Sequence, residues 1–155
     1  SLSDEEVNFK TMRMPGAISN LQLQGSTPPS STTTNFSISK AQGMHWTWES
    51  APYGGGNAKD QGQVIFTINT APNGSGQKDK LECIVEDTGD FTVTPQDLAQ
   101  LENFSSNQYG SVSVRKVAAR VITLSNGKVI LQSSDYSVYE FENARTSGTT
   151  LSLTN

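Results

Sequence analysis

The chain has 155 residues, a length that predicts one domain with a sizeable buried core. Its net charge of −4 argues against nucleic acid as a ligand, because phosphates require clustered Lys and Arg; the densest basic spot holds only Arg115, Lys116 and Arg120. No apolar run approaches the about 20 residues that a membrane helix needs, so no transmembrane segment is predicted. Hydrophobic residues make up 34% and charged residues 17%, and the uncharged polar remainder is typical of extracellular β modules.

The first 34 residues show weaker structural signals than the rest of the chain. Residues 1–16 alternate only weakly and end in the turn signal Pro15-Gly16, which predicts an edge strand or a loose arm. Residues 25–34, GSTPPSSTTT, are of low complexity and predict a long loop, or a linker that leaves residues 1–24 outside the core. We therefore distinguish an N-terminal segment, 1–34, from a β-sandwich domain, 35–155, within one domain overall.

From residue 35 onward, apolar and polar residues alternate with the period of half-buried strands. Asn126-Gly127 predicts a hairpin, because this pair suits the two positive φ angles of a tight type I′ turn. Residues 146–155, TSGTTLSLTN, predict a last edge strand or a frayed tail. The runs predicted as strands are NFSIS from residue 35, MHWTWE from 44, QVIFTINT from 63, LECIVE from 81, SVSVRKVAARVITL from 111 and KVILQSSDYSVYEFEN from 128.

One short helix is predicted over residues 95–102. Thr94 is a good N-cap, Pro95 suits the first helical position, and Asp97 favours the positive end of the helix. Leu98 and Leu101 form a short apolar stripe. Short strands separated by turns, without a repeating βαβ unit, predict an antiparallel β-sandwich to which this helix is added.

Residues 44–56, MHWTWESAPYGGG, contain both tryptophans and the only histidine. Alternation places Met44, Trp46 and Trp48 on one face, which predicts the core side of a central strand, with Trp46 buried. The alternative is a binding face, since coplanar aromatic rings stack on sugar rings and an indole N–H binds hydroxyl groups. A glycan or a protein partner would then contact the candidate binding residues Trp48, Tyr53, Gly54 and Gly55.

His45 and Cys83 are the residues from which a catalytic site could be built. His45 alternates with Glu49, so a contact between them on the outer face of the strand is a candidate pairing. Cys83, the only cysteine, is interpreted as a buried free thiol that shares a strand face with Leu81 and Val85. No nucleophile elbow, P-loop or zinc-protease motif occurs. We predict a protein that is not an enzyme, with no catalytic residue and no cofactor; a hydrolase that uses His45 is the alternative.

Three carboxylates lie close together in the segment IVEDTGDFTV. Glu86, Asp87 and Asp90 could contribute oxygen ligands to calcium, although their spacing is not that of an EF-hand loop. Asp-Thr-Gly-Asp between two β runs is better explained as a tight turn with Gly89 at the position of positive φ. We predict no metal site and keep calcium as the alternative.

The run LECIVEDTGDFTVTPQDLAQL, followed by VSVRKVAARV, resembles a pattern of bacterial secreted and lipoprotein β-sandwich modules. In that pattern, an apolar strand with a cysteine leads to an acidic turn, a short strand, a helix that starts with proline and an Arg-bearing strand. The WTW run resembles the tryptophan strand of the same modules. The resemblance implies an all-β fold, an antiparallel immunoglobulin-like β-sandwich with one short helix, and it brings no catalytic residue.

The same resemblance implies a non-enzymatic module with a recognition or structural role. Its expected location is extracytoplasmic, in the periplasm or at the cell surface. A lipid-acceptor cysteine near Ser1 and an initiating Met are missing, so we expect a trimmed chain from which a targeting segment has been removed.

Overall fold

A computed structural model describes residues 18–30, 35–49, 62–70, 79–105, 110–123, 127, 129–142 and 150–155, and the structural statements below concern these residues. The fold is all-β with one very short helix, as the sequence predicts. Among the described residues, no helix is long and apolar enough to cross a membrane. The elements are β1 Ser19–Leu23, β2 Asn35–Ser39, β3 Met44–Glu49, β4 Gln63–Asn69, β5 Lys80–Glu86, β6 Asp90–Val93, α1 Pro95–Leu98, β7 Ser111–Thr123, β8 Val129–Glu142 and β9 Thr150–Thr154.

The strands form three hydrogen-bonded groups. The largest sheet has the order β5-β4-β7-β8, and a second sheet has the order β1-β3-β6; both are antiparallel. The third group pairs β2 with β9 in parallel, from Asn35 opposite Thr150 to Ser39 opposite Thr154. The prediction of an antiparallel sandwich is confirmed for the two larger sheets. The immunoglobulin-like topology stays a prediction.

The core lies between the two larger sheets and is built from alternating strand residues. In β3, Met44, Trp46 and Trp48 are buried, and in β4 the buried row includes Phe66. The ring of Phe66 lies 5.7 Å from that of Trp46 and 5.6 Å from that of Trp48, measured between centroids. Only 1% of Trp46 is exposed, so the prediction that Trp46 is a core residue is confirmed.

β9 belongs to the core rather than to a frayed tail. Leu151 and Leu153 are fully buried, and Leu153 exchanges two backbone hydrogen bonds with Phe104. Phe36 of β2 packs edge-to-face on Phe141 of β8, which joins the β2–β9 pair to the largest sheet. The alternation of TLSLT already contains this burial pattern, with leucine at every second position.

β1 is the strand that the sequence does not predict. It pairs with β3 and buries Leu23, although it lies in the segment 1–34 that the sequence analysis separates from the β domain. Its pairing shifts between Ser19 and Gln22, and Asn20 has a φ of 50°, so its pattern of exposure is irregular. The hydroxyl of Tyr139 in β8 donates a hydrogen bond of 2.8 Å to the carbonyl of Pro29. Residues 18–30 therefore pack on the sandwich.

The helix is present but shorter than the predicted range of 95–102. Thr94 and Asp97 form a reciprocal capping box, and Pro95 occupies the first turn, as the sequence predicts. After Leu98 the chain changes to tighter bonds, from Gln100 N to Asp97 O and from Leu101 N to Leu98 O. Leu98 and Leu101 are both buried, so the predicted apolar stripe extends past the end of the α-helix.

The β7–β8 hairpin is confirmed, with Thr123 opposite Val129 at the end of the pairing. The predicted turn at Asn126-Gly127 lies outside the described residues except for Gly127. Gly127 does have a positive φ of 79°.

Candidate functional site

β3 separates two sets of polar groups, one buried next to Trp48 and one exposed next to His45. Alternation places the two tryptophans toward the core and His45 toward the outside of the same strand. The turn after β5 supplies Asp87 to the inner set, and Asp90, the first residue of β6, belongs to the outer set. Among the described residues, these two sets contain the contacts of the candidate residues Trp48, Asp87, His45 and Asp90.

Trp48 is buried and its indole N–H is used within the fold. The Nε1 atom donates a hydrogen bond of 2.6 Å to Oδ1 of Asp87, and only 6% of the residue is exposed. Its backbone N–H donates to the carbonyl of Gly89 at 2.9 Å. A sugar-binding role needs an exposed ring face, so the geometry of Trp48 does not support its interpretation as a binding residue. Its place in the core follows from the alternation that also buries Trp46.

Asp87 and Lys116 form a buried pair between the two larger sheets. Lys116 lies on β7, and its Nζ atom contacts Oδ2 of Asp87. Both side chains are 0% exposed. A buried charge is tolerated only when it is paired and hydrogen-bonded, and Asp87 meets this condition with Lys116 on one oxygen and Trp48 on the other.

Gly89 allows the turn after β5 to lie against β3. Its φ is 87°, which confirms the predicted position of positive φ in the Asp-Thr-Gly-Asp turn. A Cβ atom at this position would be 2.9 Å from the carbonyl oxygen of Trp48, closer than such contacts allow. Glycine therefore serves both the backbone conformation and the close approach that brings Asp87 under Trp48.

The three carboxylates of the calcium alternative make different contacts in the described residues. Glu86 is exposed at the end of β5, Asp87 is buried against Lys116, and Asp90 contacts His45. In the part of the chain that the structure describes, no three metal-binding side chains come together.

His45 contacts Asp90 instead of the expected Glu49. Its Nε2 atom lies 2.8 Å from Oδ2 of Asp90, and the two side chains are 44% and 66% exposed. β3 pairs with β6 so that Thr47 lies opposite Asp90, which makes Asp90 a diagonal neighbour of His45. Glu49 instead accepts a hydrogen bond of 3.2 Å from Ser19. The pairing of strands, which a single sequence does not reveal, decides the partner.

Cys83 does not join His45 in a nucleophile–base pair. It is half-buried in β5 and faces the core with Leu81 and Val85, as the alternation predicts. Burial raises the pKa of the Cys83 thiol, and the nearby charge of Asp97 raises it further. His45 lies in the other sheet and points outward. A thiol with a raised pKa is a poor nucleophile at neutral pH.

Sequence reasoning missed the role of Lys116, which it counted only as a member of the densest basic spot. The sequence did contain a signal for the burial of Lys116. Val112, Val114 and Lys116 occupy alternate positions of one strand and therefore share a face, which the two apolar valines mark as the core side. Three of the four candidate binding residues, Tyr53, Gly54 and Gly55, lie outside the described residues. Comparisons of the chain with family models, with curated proteins and with solved structures find no match.

Proposed function

We propose that this chain is a non-enzymatic β-sandwich module of the bacterial envelope or cell surface, with a recognition or structural role. The observation that carries the proposal is the contact of Asp87 with both Trp48 and Lys116. Through the Asp87 carboxylate, the indole N–H of Trp48 in β3 is linked to the ammonium group of Lys116 in β7, so the contact holds the two larger sheets together. Groups engaged in this way inside the core support architecture rather than turnover of a substrate.

We place the recognition surface in residues 50–61, between β3 and β4. The described strands on either side of this segment contribute core residues, since Trp48 bonds to Asp87 and Val64 is fully buried. A rigid scaffold that presents a variable connection is a common arrangement for binding. A protein partner is favoured over a glycan. Because Trp48 is buried, Tyr53 is the one aromatic residue among the four candidates that remains to stack on a sugar ring.

A glycan array separates the protein-partner and carbohydrate alternatives. We expect the labelled wild-type chain to bind no glycan. Glycan binding that is lost in Tyr53→Ala but retained in Ile84→Ala would favour the carbohydrate alternative instead. Ile84 is the matched control, because it is a large hydrophobic residue of β5, in the other sheet, and is 55% exposed.

The location is tested by fractionation of bacteria that produce the protein from its own gene. We expect it in the envelope or extracellular fraction. Its retention in the cytoplasm would contradict the proposed location.

The hydrolase alternative is tested with probes that label active serine or cysteine residues. We expect no active-site labelling, because His45 contacts Asp90 on an exposed face and Cys83 has a raised pKa. Labelling of a serine in the wild type that disappears in His45→Ala would support the hydrolase and contradict the proposal.

A further inference from the structure

The Asp87–Lys116 pair has an electrostatic property that exposed ion pairs lack. Both side chains are 0% exposed, so neither charge is solvated by water. Desolvation of two charges is costly and is offset only by close pairing. Transfer of one proton from the ammonium group to the carboxylate removes both charges and leaves an amine next to a carboxylic acid. These are the two reactants of amide formation.

We propose that Asp87 and Lys116 condense to an intramolecular isopeptide bond. The lone pair of Lys116 Nζ attacks Cγ of Asp87, the new C–N bond forms, and the C–Oδ2 bond breaks. One proton moves from the nitrogen to the departing oxygen, and one water molecule leaves. No oxidation state changes and no co-reactant is required. The indole N–H of Trp48 donates to Oδ1, so that oxygen is held and polarised as the carbonyl that remains.

Two features of the site favour the amide over the separate groups. The reacting side chains are held in contact by β7 and by the turn after β5, and effective molarities in well-oriented intramolecular reactions reach about 10⁵–10⁸ M. The amide is uncharged, so it removes the desolvation cost of the ion pair. Its carbonyl keeps the hydrogen bond from Trp48, so the product leaves that donor satisfied.

The bond would join β7 covalently to the turn through which the chain passes from the largest sheet to the second sheet. Asp87 lies in the turn that leads from β5 to β6, and Lys116 lies in β7 beside β4. The cross-link closes a loop over residues 87–116. A chain with one cysteine has no internal disulfide, and an isopeptide bond supplies a comparable constraint. This inference is independent of the proposed recognition role.

Mass spectrometry of the denatured wild-type chain tests the bond directly. We expect an intact mass lower than the sequence mass by one water molecule. Digestion with trypsin together with a protease that cuts after Glu releases residues 87–102 and 103–115. Trypsin cuts after Lys116 only when its side chain is free, so residues 116–120 stay together when Lys116 is cross-linked, and 117–120 are released when it is not. The cross-link joins 87–102 to 116–120, which are not adjacent in the chain, so the linked peptide differs in mass from any missed cleavage.

Lys116→Met and Asp87→Ala are the controls, and both should show their full sequence mass. Loss of water without the linked peptide would mean dehydration of an aspartate elsewhere and would overturn the proposal. An intact mass equal to the sequence mass, with peptides 87–102 and 117–120 found separately, would overturn it as well. The central measurement uses the wild-type chain, so it does not depend on whether either variant folds.

Discussion

Trp46 is the largest of the fully buried side chains of the described residues. Its ring contacts those of Phe66 and Tyr139, both at 5.7 Å between centroids. Truncation in Trp46→Ala removes these contacts and leaves a cavity, so we expect the free energy of unfolding to fall by about 3–5 kcal/mol. Chemical denaturation measures this change.

His45→Ala is the matched control for Trp46→Ala. The residue precedes Trp46 in β3 but faces outward, and its contact with Asp90 is exposed on both sides. We expect a loss of about 1 kcal/mol or less, since exposed ion pairs contribute little. A larger loss for His45→Ala than for Trp46→Ala would mean that β3 is oriented with the opposite face inward.

Trp48→Phe isolates the hydrogen bond to Asp87, because it retains an aromatic ring and removes the N–H donor. Oδ1 of Asp87 would lose a buried donor at 2.6 Å, and we expect a loss of about 1–3 kcal/mol on unfolding by denaturant. The same substitution in the Asp87→Ala background should cost clearly less, since the acceptor is already gone. Equal costs in the two backgrounds would show that Trp48 acts through packing alone.

Single residues also show the limit of prediction from sequence. Alternation correctly assigns Trp46 to the core and His45 to the outside, because a strand has a period of two. It does not identify the partner across the sheet, which depends on register. The contacts His45–Asp90 and Lys116–Asp87 therefore had to come from the structure.

The turn between β5 and β6 is the element that positions the buried pair. Gly89 and Gly127 both have positive φ, of 87° and 79°, but an added Cβ meets a backbone oxygen only at Gly89. We expect Gly89→Ala to destabilise the fold more than Gly127→Ala. The Gly127→Ala variant loses only the about 1–2 kcal/mol that a residue with a side chain needs to adopt a positive φ. Thermal unfolding of the two variants checks this order. Equal losses would show that the approach of Gly89 to β3 contributes no stability.

The capping box of α1 makes a second element-scale prediction. Hydrogen bonds from Thr94 lower the pKa of Asp97, so its carboxylate form is stabilised in the folded chain. A lowered folded pKa contributes stability above the unfolded value, about 3.9, and this contribution disappears as pH falls through the folded pKa. We expect Asp97→Asn to reduce the loss of stability on acidification below pH 4. An unchanged acid profile in this variant would contradict the assignment.

Thr94→Ala removes the other half of the same capping box and should cost about 0.5–2 kcal/mol at neutral pH. The start of α1 was predictable because Thr94, Pro95 and Asp97 carry strong capping and first-turn preferences. Its end was not, since tighter backbone bonds continue the helical path beyond Leu98. β1 was missed for a related reason: its register shift and the positive φ of Asn20 break the alternation on which strand prediction depends.

At the scale of the whole molecule, the sequence predicts the class of the fold better than its connections. An all-β sandwich follows from repeated alternating runs, because each run needs an opposing apolar face. The parallel pairing of β2 with β9 and the order β5-β4-β7-β8 depend on long-range contacts that local patterns do not encode. The same long-range contacts place Asp87 and Lys116 inside the fold.

The central claim is that both tryptophans of the chain are core residues and that β3 has a structural role instead of forming a binding face. The chain contains only Trp46 and Trp48, so its tryptophan fluorescence reports on these two residues alone. The most direct measurement is quenching of this fluorescence by acrylamide in the native and the denatured chain. We expect weak quenching and short-wavelength emission in the native protein, with strong quenching and a shift to longer wavelength after denaturation. Native emission that is quenched as strongly as that of the denatured chain would contradict the account.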